Sequence, residues 1–140
     1  MKSLLTLALA LAFGCTAAFA AEDDTPLAKE MKTMNKSLRA LKKQVADPAK
    51  KDANLELLAT IRKSLDAATK LEPAKTKEVP AAEKAAYLDK YKAQLTDLAK
   101  TYDELEAAIK ADKADDVKKA LDKLSEQKEK GHKDFAPEEK

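Results

Sequence analysis

Three side chains carry most of the chemistry open to this sequence: Met31, Met34 and His132. A thioether is a soft donor and an imidazole a versatile one, so together they suit a transition metal. Most other chemistries fall by absence. Cys15 is the only cysteine and lies in a segment expected to be removed, which leaves no disulfide, thiolate metal site or cysteine nucleophile. Gly14 and Gly131 are the only glycines, so there is no phosphate-cradling loop or dinucleotide fingerprint. One histidine supplies no Ser-His-Asp or Cys-His constellation with a partner in the local sequence. Glu129-Lys130-Gly131-His132 is a single copy of a motif that di-iron bundles need twice. The many carboxylates fall on charged faces whose spacing suits solvation better than acid–base pairing. No enzymatic activity is expected. Taken singly, each methionine also reads as core packing and His132 as a solvated residue on a fraying C-terminal turn.

The elements that would position these residues are helices. Leu27, Met31, Met34, Leu38, Leu41 and Val45 are spaced 4-3-4-3-4, an apolar seam for a first helix, with Thr25 as its cap and Pro26 at its first position. Asp47-Pro48 stops it and starts the next. The second helix carries Leu55, Leu58, Ile61, Leu65, Ala68 and Leu71 and ends near Glu72-Pro73, before a polar loop to Val79-Pro80. The third has the longest seam, from Leu88 through Tyr91, Leu95, Leu98, Tyr102 and Leu105 to Ile109. Asp112 is the expected cap of a fourth helix containing Val117, Leu121 and Leu124, beyond which the pattern thins. Alanine is abundant and no segment alternates like a strand. The expected fold is all-α: an up-down-up-down antiparallel four-helix bundle with each seam turned inward.

That topology brings distant residues together. The first and fourth helices are antiparallel neighbours, so the start of one lies beside the finish of the other. Met31 is about one turn into helix 1 and His132 about one turn from the end of helix 4. His132 follows Leu121 by three turns and lies about 20° from it around the axis, so it points inward. A thioether facing an imidazole is the axial pair of a six-coordinate haem.

The chain opens with Lys2, an apolar run from Leu4 to Phe13 and small residues ending in Ala18-Phe19-Ala20. This pattern describes a secretory signal peptide, too short in its apolar part to span a bilayer. Residues 1–20 are read as the signal, cleaved after Ala20, and residues 21–140 as one bundle domain without stable membrane association. Gly14-Cys15 offers an alternative lipoprotein signal, in which Cys15 would carry the lipid, although Ala12 stands where such signals usually have leucine. The whole chain has 27 Lys and Arg against 25 Asp and Glu, mixed along its length without a basic stripe and with few aromatics. Nucleic-acid binding is not indicated.

The segment Leu27-x-x-x-Met31-x-Thr33-x-Asn35-x-x-Leu38 resembles the first helix of the soluble cytochrome b562 family, whose first-helix methionine is a haem ligand; the matching residue is Met31, not Met34. His132-Lys133-Asp134-Phe135 is similar to that family's terminal histidine followed closely by an aromatic. Leu65-Asp66-Ala67 and the run from Val79 to Leu124 fit its remaining helices, so the resemblance covers nearly all of residues 25–135. The family is itself a standard example of the up-down-up-down bundle, so agreement of fold is part of the resemblance. It implies one haem b per chain, held without covalent bonds by Met31 and His132, in a periplasmic electron carrier acting as a monomer with a redox partner protein. Leu27, Met34, Ala68, Leu88 and Tyr91 would form the apolar wall, and Lys128 would meet a propionate. Gly131, just before the histidine, would loosen its helix by ~1 kcal/mol relative to alanine. The reading from another class is a cofactor-free periplasmic bundle with an interaction or chaperone-like role.

Overall fold

The computed structural model describes residues 25–136; the expected signal peptide, its cleavage site and Cys15 lie outside them. Four helices make up the bundle: α1 Pro26–Gln44, α2 Lys51–Ala68, α3 Lys84–Lys110 and α4 Ala114–Phe135. Two short 3₁₀ turns, Pro48–Lys50 and Ala74–Lys77, fill the first two connections. There is no strand among the described residues.

The helix ends follow from local chemistry. Thr25 Oγ1 accepts from the Ala28 amide at 3.1 Å, and Pro26 takes the first position, where a missing N–H costs nothing. Asp47 Oδ1 accepts from the Ala49 amide, so the Asp-Pro pair caps the 3₁₀ turn that leads into α2. Helix α2 ends at Ala68, four residues before the expected Glu72-Pro73 boundary. The Lys70 and Leu71 amides bond back to Ala67 and Ala68, three residues away, which tightens the backbone out of the α-helix. Leu71 therefore lies beyond the helix whose seam it was expected to extend.

Asp112 does not cap α4. Its φ of 56° places it in the left-handed region at the end of α3. The Lys113 amide bonds to the Ala108 carbonyl and the Asp112 amide to that of Ile109, the paired bonds of a Schellman ending. Asp112 is thus a stop signal in a place usually given to glycine, and α4 begins at Ala114 without a side-chain cap. Helix α4 then runs unbroken to Phe135, past the point where its apolar pattern thins.

Packing gives the bundle its order. Helix α1 packs along α2, α2 against α3, and α3 along α4. Lys51 at the start of α2 reaches the Lys110 carbonyl at the end of α3, and Lys123 of α4 meets Glu104 of α3, as antiparallel neighbours require. Leu41, Leu58, Ile61, Leu105 and Leu124 are completely buried along the axis. Helices α1 and α4 are not among the closely packed pairs. Lys42 donates to Ser125 Oγ at 2.8 Å towards the end of α1, and nearer its start the two helices are separated by a cavity.

Candidate functional site

The cavity has a volume of about 730 Å³ and is lined by α1, α3 and α4, with Pro73 and Ala74 from the α2–α3 connection. Met31 and His132 both line it. Met31 is half-buried on the second turn of α1, and His132 is exposed on the last turn of α4. The two residues expected at this end of the bundle thus line one cavity, although His132 is more open to solvent than its position 20° from Leu121 suggested. Leu121 is itself only half-buried, which makes it a weak guide to the inward direction.

Leu27, Met34, Tyr91 and Lys128 also line the cavity. Met34 does so while being only 5% exposed and belonging to the continuous core. Ala68 and Leu88 do not line it. Ala68 is fully buried behind the wall, where its carbonyl accepts the Tyr91 hydroxyl at 3.2 Å. Leu88 is half-buried outside the cavity, and Tyr87 instead turns towards the core.

An aromatic cluster closes this end of the bundle. Phe135 meets Tyr87 and Tyr91 edge to face, with ring centroids 5.3 and 5.2 Å away. Burial, with a smaller contribution from Tyr87, pushes the Tyr91 phenol up to about 12, so it stays neutral as a donor to Ala68. Asp134 pairs with Lys90 at 3.2 Å and Lys130 at 3.4 Å; burial opposes its ionisation, but these two cations hold its carboxyl below the usual range. These pairs hold the acid away from the cavity, which Asp134 does not line.

Gly131 has a packing role that propensity alone conceals. The Gln94 side chain crosses from α3 and donates to the Gln127 carbonyl of α4 at 3.2 Å. A Cβ on Gly131 would come within 3.1 Å of the same Gln94 nitrogen. Gln127 returns the contact by donating to the Asp97 carbonyl at 3.3 Å. Two amides thus bind α3 to α4 immediately beside His132, and glycine leaves room for one of them. Both glutamines line the cavity. The sequence reading passed over them, though Tyr91, Gln94, Leu95 and Leu98 follow the i, i+3, i+4, i+7 pattern of one helix face.

The lining suits an apolar ligand bearing carboxylates. Its walls are mainly aliphatic and aromatic, and it offers one imidazole and two thioethers. Three lysines, Lys32, Lys128 and Lys133, also line it, with no carboxylate among the lining residues. Among the described residues, no three His, Cys, Asp or Glu side chains gather to hold a bare ion. A family model described as Cytochrome b562 matches residues 26–136. The chain belongs to the cytochrome b562 family. No curated protein and no solved structure matches it. The match begins with Pro26 at the first position of α1 and ends one residue after Phe135, so this cytochrome b562 domain comprises all four helices and both sides of the cavity. None of its described helices is long and apolar enough to cross a membrane.

Proposed function

We propose that this cytochrome b562-family protein binds one haem b without covalent attachment in the α1–α4 cavity, where Met31 and His132 would hold its iron, and carries single electrons in the periplasm. The observation that carries the reading is that Met31 and His132, far apart in sequence, line one cavity between two helices of this family's fold. Bound haem supplies a one-electron ferric/ferrous couple. The protein's part is to hold and shield it. Met31 offers a soft sulfur that favours ferrous iron, while His132 offers a nitrogen suited to both oxidation states. Leu27, Met34, Leu38 and Leu95 exclude water from the cavity, and Tyr91 holds its wall against α2 through Ala68. Lys128, with Lys32 and Lys133, provides cations for the propionates. Periplasmic residence is supported by the signal-like residues 1–20.

The direct test is titration of the purified protein with haem. One equivalent should produce a Soret change, and acidified organic solvent should extract it all, because the mature chain has no cysteine to tether it. A folded helical protein that gave no Soret change would sink the cytochrome reading and promote the cofactor-free interaction protein.

A further inference from the structure

The near balance of charge over the whole chain conceals a local excess. Helix α1 carries six basic side chains and one acidic one. Lys32, Lys36, Arg39 and Lys43 recur at spacings of 4-3-4, and all are exposed, so they form a stripe that the chain-wide reading of mixed charge missed. Met34, Leu38 and Leu41 occupy the opposite, buried face. Many other basic residues are drawn into ion pairs, such as Arg62 with Asp103 and Glu106, or Lys123 with Glu104. Among the described residues, no ion pair includes a side chain of α1.

The stripe borders the cavity. Lys32 belongs to both, and Lys128 and Lys133 continue the positive charge on α4. Two propionates would neutralise at most part of this rim. Lys43 lies about 16 Å along the helix from Lys32.

We propose that the α1 stripe, continued by Lys128 and Lys133, is the docking face for an acidic electron-transfer protein. The inference rests on the haem reading for its purpose, since a partner exchanging one electron must approach the cavity mouth. The chemistry of α1 favours a protein partner over a lipid surface or nucleic acid. A membrane-surface helix needs a free apolar face, whereas this one is turned into the core. Single-stranded nucleic acid stacks its bases on aromatic side chains, and α1 has none. A small, wet interface steered by charge needs neither feature.

The test uses an acidic plant-type [2Fe–2S] ferredoxin as the probe and the haem-treated full chain. Binding is followed by calorimetry and by amide chemical-shift mapping, with haem uptake recorded separately from the Soret band. Affinity should fall roughly tenfold as added salt shortens the screening length, and the largest shifts should map to residues 32–43. Lys36→Glu with Arg39→Glu should weaken binding roughly tenfold at low salt. The equal charge change Lys63→Glu with Lys92→Glu, on exposed sites of α2 and α3, should have little effect. Equal losses in both variants, or shifts that map elsewhere, would overturn the docking face. Stripe-dependent sedimentation with phosphatidylglycerol vesicles, with no ferredoxin binding, would replace it with a lipid-surface role. Stripe-dependent ferredoxin binding without a Soret change would defeat the haem reading but leave the acidic-protein face standing.

Discussion

Met31 and Met34 lie within one turn of each other on α1, but their surroundings differ. Met34 is packed into the core, whereas Met31 is half-buried at the cavity. Met34→Leu should therefore leave a ferrous haem spectrum nearly unchanged, because a volume-conserving apolar exchange is well tolerated. Met31→Ala should leave haem bound through His132 and lower the reduction potential by on the order of 100 mV. His132→Ala should reduce haem affinity by more than the roughly 10–100-fold typical of losing an outer-shell partner, since the remaining sulfur holds ferric iron poorly. Haem titration and redox potentiometry of the three variants check these outcomes. A ferrous shift in Met34→Leu but not in Met31→Ala would reassign the sulfur ligand.

At the scale of the element, two helix ends depart from propensity rules, each for a tertiary or backbone reason. Gly131→Ala should stabilise an isolated α4 by ~1 kcal/mol, but here the new Cβ meets the Gln94 amide at 3.1 Å. The gain should consequently be smaller or reversed in the native protein, and recovered when Gln94→Ala removes the obstruction. A double-mutant cycle in urea measures the coupling; strict additivity would show that the interlocked amides do not constrain α4. Asp112→Gly addresses the α3 ending. Relief of left-handed strain, about 1–2 kcal/mol, should exceed loss of the exposed Lys51 ion pair, about 0–1 kcal/mol. With the added unfolded-chain entropy of glycine offsetting part of the gain, a modest rise in urea midpoint is expected.

The whole molecule should show opposite pH dependences at its acid and alkaline limits. Burial pushes the Tyr102 phenol up to about 12, as it does for Tyr91, and both residues are 3% exposed. Below pH 10 both are neutral whether the chain is folded or unfolded. Between about pH 10 and 12 the unfolded phenols ionise first, so stability should fall by roughly 2–3 kcal/mol for each tyrosine. Urea midpoints at pH 9 and 11 test this, and Tyr102→Phe should remove its share of the loss. Asp134 acts in the opposite sense. Its lowered folded value contributes stability above the ordinary carboxylate range, and that contribution disappears as pH falls through the folded value. Asp134→Asn should flatten the acid limb. Intact mass of the chain recovered from a periplasmic extract should show a start at Ala21; a lipid-modified species beginning at Cys15 would reverse that processing assignment.

The four amphipathic periods, the proline breaks and the Thr25 and Asp47 caps were legible locally, because each depends on residues within a few positions. They specified an all-α bundle and, through its topology, brought Met31 and His132 to one end. The first-helix motif and the spacing of the terminal histidine and aromatic also pointed to the family that matches residues 26–136. Other features depended on contacts across helices. A helix period specifies a face but not its depth or partner: Leu88 and Ala68 had suitable periods, yet one lies outside the cavity and the other behind its wall. Gln94 and Gln127 drew no notice in the residue order, because only the packing of α3 against α4 joins their amides to the opposing backbones. Gly131 appeared only to weaken its helix until Gln94 crossed beside it. The basic stripe was present in the residue order, but its relation to the cavity required α1 and α4 to stand on either side of one opening. Sequence specifies the periodicity of each helix; close packing between helices decides which residues share a wall, because side-chain volume and backbone approach must be satisfied together.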